Sequence, residues 1–174
     1  MRYFRLQLDQ YEKSGLVIHG LPNKKGGREA LDGDLSNLDL LTVISAHSQN
    51  GKIYPELLVS PVLMFKETIK EVFDLYIPDL EYKNFCLLDE YNKEHVYYTA
   101  PALKAANVIS DKSERINLSD GKILLDKKAL EELHGLEIFR LGEIRDFVIV
   151  ALPVAESLLR RKIPGIFLAH IEAV

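Results

Sequence analysis

Three residues near the middle of the chain have the types used in nucleophilic catalysis: Cys86, Asp89 and His95. A histidine can withdraw a thiol proton, and a carboxylate can orient the imidazole. The segment KNFCLL around Cys86 is apolar, however, and free cysteine is among the most buried residue types. We therefore predict that Cys86 is a core residue and that the chain has no catalytic residues. The alternative is a small enzyme whose site is assembled from distant segments, with Cys86 and His95 or His170 as candidates.

The histidines predict no metal site. None lies within ligand spacing of another histidine or of the cysteine, and the chain has no HExxH or CxxC pattern. We expect each to be a surface or turn residue; they are His19, His47, His95, His134 and His170. The segment NKKGGR at residues 23–28 lacks the GxxxxGK[ST] spacing of a phosphate-binding loop. The sequence thus predicts a mobile loop there, and no cofactor.

Two further polar stretches have structural explanations. The string ISDKSE contains Ser110, Asp111, Ser113 and Glu114, which at this density are typical of turns and caps. Residues 160–162 are Arg-Arg-Lys, and cations in the last turn of a helix complement its dipole. Neither stretch predicts a site.

One hairpin has the composition of a contact surface. The segment DEYNKEHVYY at residues 89–98 combines charged turn residues with three tyrosines. Tyrosine offers a large contact area at low entropic cost, and acidic neighbours favour a basic partner. The candidate partner contacts are Asp89, Glu90, Tyr91, Glu94 and Tyr97. The alternative is a solvated hairpin whose tyrosines lie half in the core.

Composition narrows the class of protein. One cysteine among 174 residues excludes an intramolecular disulfide and suits a reducing compartment. A net charge of −4 disfavours nucleic-acid binding and suits a basic partner. The N-terminus has no apolar signal region, and no stretch approaches 18 apolar residues. We expect a bacterial, cytoplasmic protein that does not enter a membrane.

Hydrophobic patterns predict the elements that position these residues. Residues 2–8 alternate as a half-buried strand, residues 38–47 form a buried strand, and residues 80–88 pair with residues 95–100 in a hairpin. In the segment 57–73, a strand is followed by a helix with Ser60 as its N-cap and Pro61 at its first position.

Two more strand–helix–strand passages follow. In residues 121–141 Asp126 caps a short helix that stops at Gly135. From Phe147 to Ile171, Pro153 opens a helix and Gly165 precedes the last strand. Together the three passages predict an α+β fold, with a mixed, largely antiparallel sheet and short helices packed on it. We divide the chain into a loop-rich segment 1–51 and a main region 52–174, forming one structural unit.

From residue 57 onward the chain resembles a family of bacterial polymorphic-toxin immunity proteins, the Imm-eleven group of domains of unknown function. The matching segments are LLVS before a helix, NVISDKSE after the hairpin, IFRL, and the closing VIVALPVAESLLRRKIPGIFLAHIEA. They cover roughly the C-terminal two-thirds of the chain, and the segment through Gly51 matches more loosely.

The resemblance implies a non-enzymatic cytosolic protein that binds and neutralises a toxin from a neighbouring cell, and it transfers no catalytic residues. The expected partner is therefore a cognate toxin protein, which the charge of the chain suggests is basic. A regulatory or structural subunit, homodimeric through an uncovered strand edge, is a third hypothesis. The sequence is compatible with a monomer or a homodimer.

Overall fold

The computed structural model describes residues 1–11, 15–19, 35–113, 123–142 and 147–174, and the segment 23–28, for which we predicted a loop, lies outside them. Eleven strands and three helices occur in the described ranges. The strands are β1 Tyr3–Leu8, β2 Leu16–Ile18, β3 Leu41–Ser48, β4 Leu57–Leu58, β5 Met64–Phe65, β6 Tyr82–Asp89, β7 Glu94–Pro101, β8 Ala105–Ala106, β9 Ile138–Leu141, β10 Val148–Ala151 and β11 Ile166–Ile171. The helices are α1 Glu67–Tyr76, α2 Lys127–Glu132 and α3 Leu152–Arg160. None of these helices is long and apolar enough to cross a membrane.

The strands form two sheets rather than the single sheet predicted, although the α+β class is confirmed. The first sheet has the order β11-β1-β10-β9-β8, and the second has the order β2-β3-β6-β7-β5-β4. Pairing is antiparallel except between β3 and β6 and between β8 and β9. Strands from before and after residue 51 pair in both sheets, because β1 lies between β10 and β11 and β3 pairs with β6.

Strand β1 is buried on both faces, not on one face as its alternating sequence predicts. Leu6 packs in a core cluster with α1 and α3, while Tyr3 packs on the opposite face against Phe139, with ring centroids 6.1 Å apart. The reason is position: β1 is an inner strand, with α1 and α3 covering one face of the first sheet and α2 the other. The first sheet is therefore a middle layer, with α1 and α3 packed on one side of it and α2 on the other.

Helix α1 begins later than predicted, and the prediction of Ser60 as its N-cap is wrong. Residues 57–58 pair with residues 64–65 as a tight antiparallel pair, so Ser60 and Pro61 lie in the connecting turn. The helix starts at Glu67 after Lys66, which makes no side-chain cap. A proline fits a turn as well as a first helical position, and the sequence pattern alone did not separate the two.

The other helix boundaries are confirmed. Asp126 caps α2 by accepting hydrogen bonds from the backbone N–H groups of Lys128 and Ala129, at 2.8 and 3.1 Å. Gly135 and Gly165 have φ of 84° and 74°, the left-handed region that favours glycine at a helix stop and a turn. Pro153 lies in the first turn of α3.

The second sheet has one buried face and one partly open face. Its inner face, with Ile44, Phe85, Leu87 and Tyr98, packs in a second core cluster. The opposite face of its β4–β5 end is covered, because Phe65 packs edge-on against Phe73 of α1 at 4.8 Å. No helix in the described residues packs on the rest of that face. We call this open region the outer face; its members are Val17, His19, Leu41, Val43, Ser45, His47, Asn84, Cys86, Leu88, His95 and Tyr97.

Candidate functional site

The β6–β7 turn is organised around one buried carboxylate. Asp89, the last residue of β6, is only 1% exposed. It accepts hydrogen bonds from the backbone N–H groups of Ser48 and Asn92 at 2.8 and 2.9 Å, from the Asn92 side-chain amide at 2.7 Å, and from the Tyr54 hydroxyl at 3.0 Å. We call these four residues, Ser48, Tyr54, Asp89 and Asn92, the Asp89 node. It ties the end of β3, the loop before β4 and the hairpin turn to a single group.

The node is electrostatically consistent with an ionised carboxylate. Burial raises the pKa of Asp89, but the hydrogen bonds from Asn92, Ser48 and Tyr54 outweigh it and hold the pKa well below its usual range. Burial and the bond to Asp89 raise the pKa of Tyr54 to about 12. Tyr54 therefore keeps its proton and acts as a donor, since the carboxylate beside it disfavours a second negative charge.

Two rings lie next to the node. The His47 Nδ1 atom lies 3.6 Å from the Asp89 Oδ1 atom, too far for a hydrogen bond, and it is buried without another partner in the described residues. The imidazole meets the Tyr91 ring edge-on, with centroids 4.9 Å apart. Tyr91 is nevertheless 81% exposed. The turn therefore presents a large aromatic side chain to solvent, with one edge of contact to His47.

The chemistry of the node is that of a positioning device. The Ser48 hydroxyl is buried and donates to the Ile53 carbonyl oxygen at 3.0 Å, so it is not presented to a substrate. The Asp89 carboxylate is occupied by four donors, and the raised pKa of Tyr54 keeps its hydroxyl protonated and makes it a poor acid. What this arrangement can do is hold the hairpin turn in one shape.

The five predicted contact residues separate in space. Asp89 is buried beneath the surface and cannot touch a partner, so the prediction is wrong for this residue. The charge of Asp89 can be buried because four internal hydrogen-bond donors offset the cost of removing it from water. Glu90 and Tyr91 are exposed at the turn, and Glu94 forms a salt bridge with Lys52 beside it. Tyr97 is exposed further along β7, on the outer face.

The residues of the enzyme alternative do not lie opposite one another in the sheets. Cys86 lies directly across from Tyr97, whereas His95 is opposite Leu88 in the next row of the outer face. The His95 ring packs on Tyr97 at 5.7 Å, and Cys86 is buried, as predicted. His170 lies in the first sheet, where its ring contacts Phe4 at 5.6 Å.

The remaining polar stretches have the structural roles expected of them where they are described. The Ser113 hydroxyl exchanges hydrogen bonds with the backbone of Leu124 at 3.1 and 3.0 Å. Arg161 donates to the Ser157 carbonyl oxygen at 3.2 Å near the end of α3. Glu114 lies outside the described residues. Within the described ranges, no group of three or more His, Cys, Asp or Glu side chains is placed to hold a metal ion.

A cleft of about 360 Å³ opens next to the node, between the ends of the two sheets. Tyr54 belongs to both, because its hydroxyl reaches Asp89 while the residue also lines the cleft. The carboxylates of Asp9 and Glu56 and the exposed ring of Tyr11 line the same space. Carboxylates beside aromatic rings form an environment that suits a cationic side chain.

Sequence reasoning found Asp89 and the neighbouring Tyr91 but not the other three residues of the node. Asn92 had a signal, since an aspartate side chain at a turn commonly accepts a hydrogen bond from a backbone N–H two or three residues further on. Ser48 and Tyr54 had none, because they lie 41 and 35 residues from Asp89 and meet it only through the β3–β6 pairing.

Comparisons with known proteins do not assign the chain: no protein-family model matches it, and no curated protein matches it significantly.

Proposed function

We propose that this protein is a non-enzymatic binding protein that neutralises a cognate bacterial toxin in the cytoplasm, as the resemblance of its C-terminal two-thirds to immunity proteins implies. The partner docks at the end of the molecule formed by the β6–β7 turn and the neighbouring cleft. Neutralisation then follows from occlusion. When this chain covers the active site of the toxin, the substrate of the toxin cannot enter.

The observation that carries the proposal is Tyr91. An 81% exposed aromatic ring, held by His47 at 4.9 Å on a turn fixed by four hydrogen bonds to Asp89, loses little conformational entropy on binding. Tyrosine is also among the residue types that dominate binding energy in interfaces. Such an anchor needs no chemistry of its own to contribute affinity.

Charge at the same end supports a basic partner. Glu90 lies beside Tyr91, and Asp9 and Glu56 line the cleft, although Lys66 pairs with Glu56 at 3.0 Å. The whole chain carries a net charge of −4, so a basic protein is attracted before contact. A lysine or arginine of the partner fits the cleft next to Tyr54 and Tyr11.

The test is to look for a toxin gene adjacent to the gene for this protein and to co-express its product with this chain. We expect the chain to restore growth to cells that produce the toxin, and the two purified proteins to elute together in size-exclusion chromatography. The proposal is contradicted if cells remain poisoned and the mixture elutes as two separate proteins.

A catalytic mode of protection is distinguished by stoichiometry. A binding protein protects only when it is at least equimolar with the toxin. An enzyme that modified the toxin would protect even when the toxin was in large molar excess over the enzyme. Titration of toxin activity with this chain is therefore expected to end near a one-to-one ratio.

A further inference from the structure

The outer face of the second sheet adjoins the docking end proposed above at His47, which contacts Tyr91, and extends away from it along β2, β3, β6 and β7. Its positions on β3, β6 and β7 form continuous rows: Leu41 lies beside Asn84, Cys86 lies between Val43 and Tyr97, and Leu88 lies between Ser45 and His95. The described part of this face contains no aspartate, glutamate, lysine or arginine. Apart from His19, His47 and His95, its side chains are uncharged, on a chain in which 28% of residues are charged.

Apolar side chains on this face are exposed to solvent. Val43 is 55% exposed and Tyr97 is 60% exposed, although both lie in the middle rows of a four-stranded region. Leu41, Leu88 and Val17 are also exposed. Apolar side chains grouped on one face in this way often mark an interaction site.

We infer that a second copy of this chain covers the outer face, so that the protein forms a two-fold symmetric dimer through sheet-on-sheet packing. Two acidic chains repel each other at most surfaces, but an uncharged face lets two copies approach without like charges meeting. Two-fold symmetry requires a self-complementary patch, and a face free of charge satisfies this condition. This inference goes beyond toxin binding and does not depend on it.

The size and shape of the face suit such packing. Four strands ~4.8 Å apart and a β3 strand that rises ~3.4 Å per residue give a patch of roughly 20 Å by 20 Å, or ~400 Å² in projection. Protruding side chains increase the accessible area, so two copies bury on the order of 1,000 Å² together, which a specific interface requires. Large side chains such as Tyr97 alternate with small ones such as Ser45, so two faces can interlock at the ~10 Å spacing of packed sheets.

The experiment is light scattering after size-exclusion chromatography of the full chain at about 100 μM. We expect a mass of twice the 19.8 kDa of one chain. Val43→Glu places a charge at the centre of the face and should weaken the dimer at least tenfold, giving the mass of one chain. Leu41→Glu, at the start of β3, is a second variant that perturbs the strand less.

Leu159→Glu is the matched control, because Leu159 is an exposed leucine on α3, away from the face. This variant should keep the mass of a dimer. A wild-type chain with the mass of a monomer overturns the inference, and so does a folded Val43→Glu variant that stays dimeric. If the wild type is monomeric and Val43→Glu abolishes toxin binding, the toxin covers this face instead, and the second copy is excluded.

Discussion

Asp89 shapes a surface turn without being exposed itself. Its carboxylate unites a strand end, a loop and a turn, and the turn carries Tyr91. The acidic turn therefore divides into a buried residue that sets the shape and exposed residues that are free to contact a partner. An exposed aspartate at this position could not do the same, because water would replace its internal donors.

Asp89→Asn tests this role through stability. An asparagine keeps the shape but loses the charge and half of the accepting capacity, so N–H and O–H donors of Ser48, Asn92 and Tyr54 are left without a charged acceptor. We expect thermal unfolding to begin at a lower temperature, with a fall in Tm on the order of 5 °C. Tyr54→Phe removes a single donor and should lower Tm less. A Tm within 1 °C of wild type, roughly the resolution of such a measurement, would refute the structural role.

Acid sensitivity is expected from the same group. The folded pKa of Asp89 is depressed relative to the unfolded chain, in which an aspartate titrates near pH ~3.9. Its contribution to the free energy of unfolding is therefore present above that pH and is lost as pH falls through the folded pKa. Denaturant unfolding between pH 7 and pH 2 should show a smaller decline for Asp89→Asn than for wild type. Parallel curves for the two proteins would show that the carboxylate is not stabilised by folding.

At the scale of elements, helices with a local signal were the predictable part of the fold. Asp126, Gly135 and Pro153 act where their sequence positions indicate, because caps and stops depend on neighbours within four residues. The prediction of Ser60 as an N-cap was wrong because a proline-containing turn has the same sequence signal as a helix start. The split into two sheets could not be read from the sequence, since it depends on pairings such as β1 with β10 that span most of the chain.

Adjacent leucines of α3 give a prediction for packing. Leu158 is 0% exposed in the core cluster with α1 and the first sheet, whereas its neighbour Leu159 is 62% exposed. Leu158→Ala should lower the free energy of unfolding by about 2–5 kcal/mol, since it removes buried methyl groups and leaves a cavity. Leu159→Ala should change it by about 0.5 kcal/mol or less. Equal effects in denaturant unfolding would contradict this placement of the helix.

The cap of α2 gives a second prediction at this scale. Asp126→Ala removes the acceptor for two backbone N–H groups and should cost about 1 kcal/mol. Asp126→Asn retains a side-chain oxygen and should recover most of that loss. Denaturant unfolding of both variants measures the difference, and an alanine variant as stable as wild type would show that the cap contributes nothing.

At the scale of the whole molecule, we propose two binding surfaces with different partners. The turn end, with Tyr91 and the cleft, engages a toxin, and the outer face of the second sheet engages a second copy. Sequence reasoning identified the hairpin that contributes to both, but it grouped Tyr91 and Tyr97 together. Only the register of β6 with β7 separates them, because it places Tyr97 on the outer face and Tyr91 in the turn.

The separation predicts independent losses. Val43→Glu should dissociate the dimer while leaving toxin binding intact, and Tyr91→Ala should do the reverse. Light scattering and a binding assay on the same two variants check this. Loss of both properties in either variant would mean that the two surfaces are one.

The affinity of Tyr91→Ala for the toxin tests the central claim most directly. Isothermal titration calorimetry against the toxin should show binding weaker by tenfold or more, on the order of 1.4 kcal/mol, because the anchor of the turn is removed. Phe167→Ala, which removes an exposed aromatic ring from the first sheet, should bind as wild type does. Equal affinities for wild type and Tyr91→Ala would contradict the account.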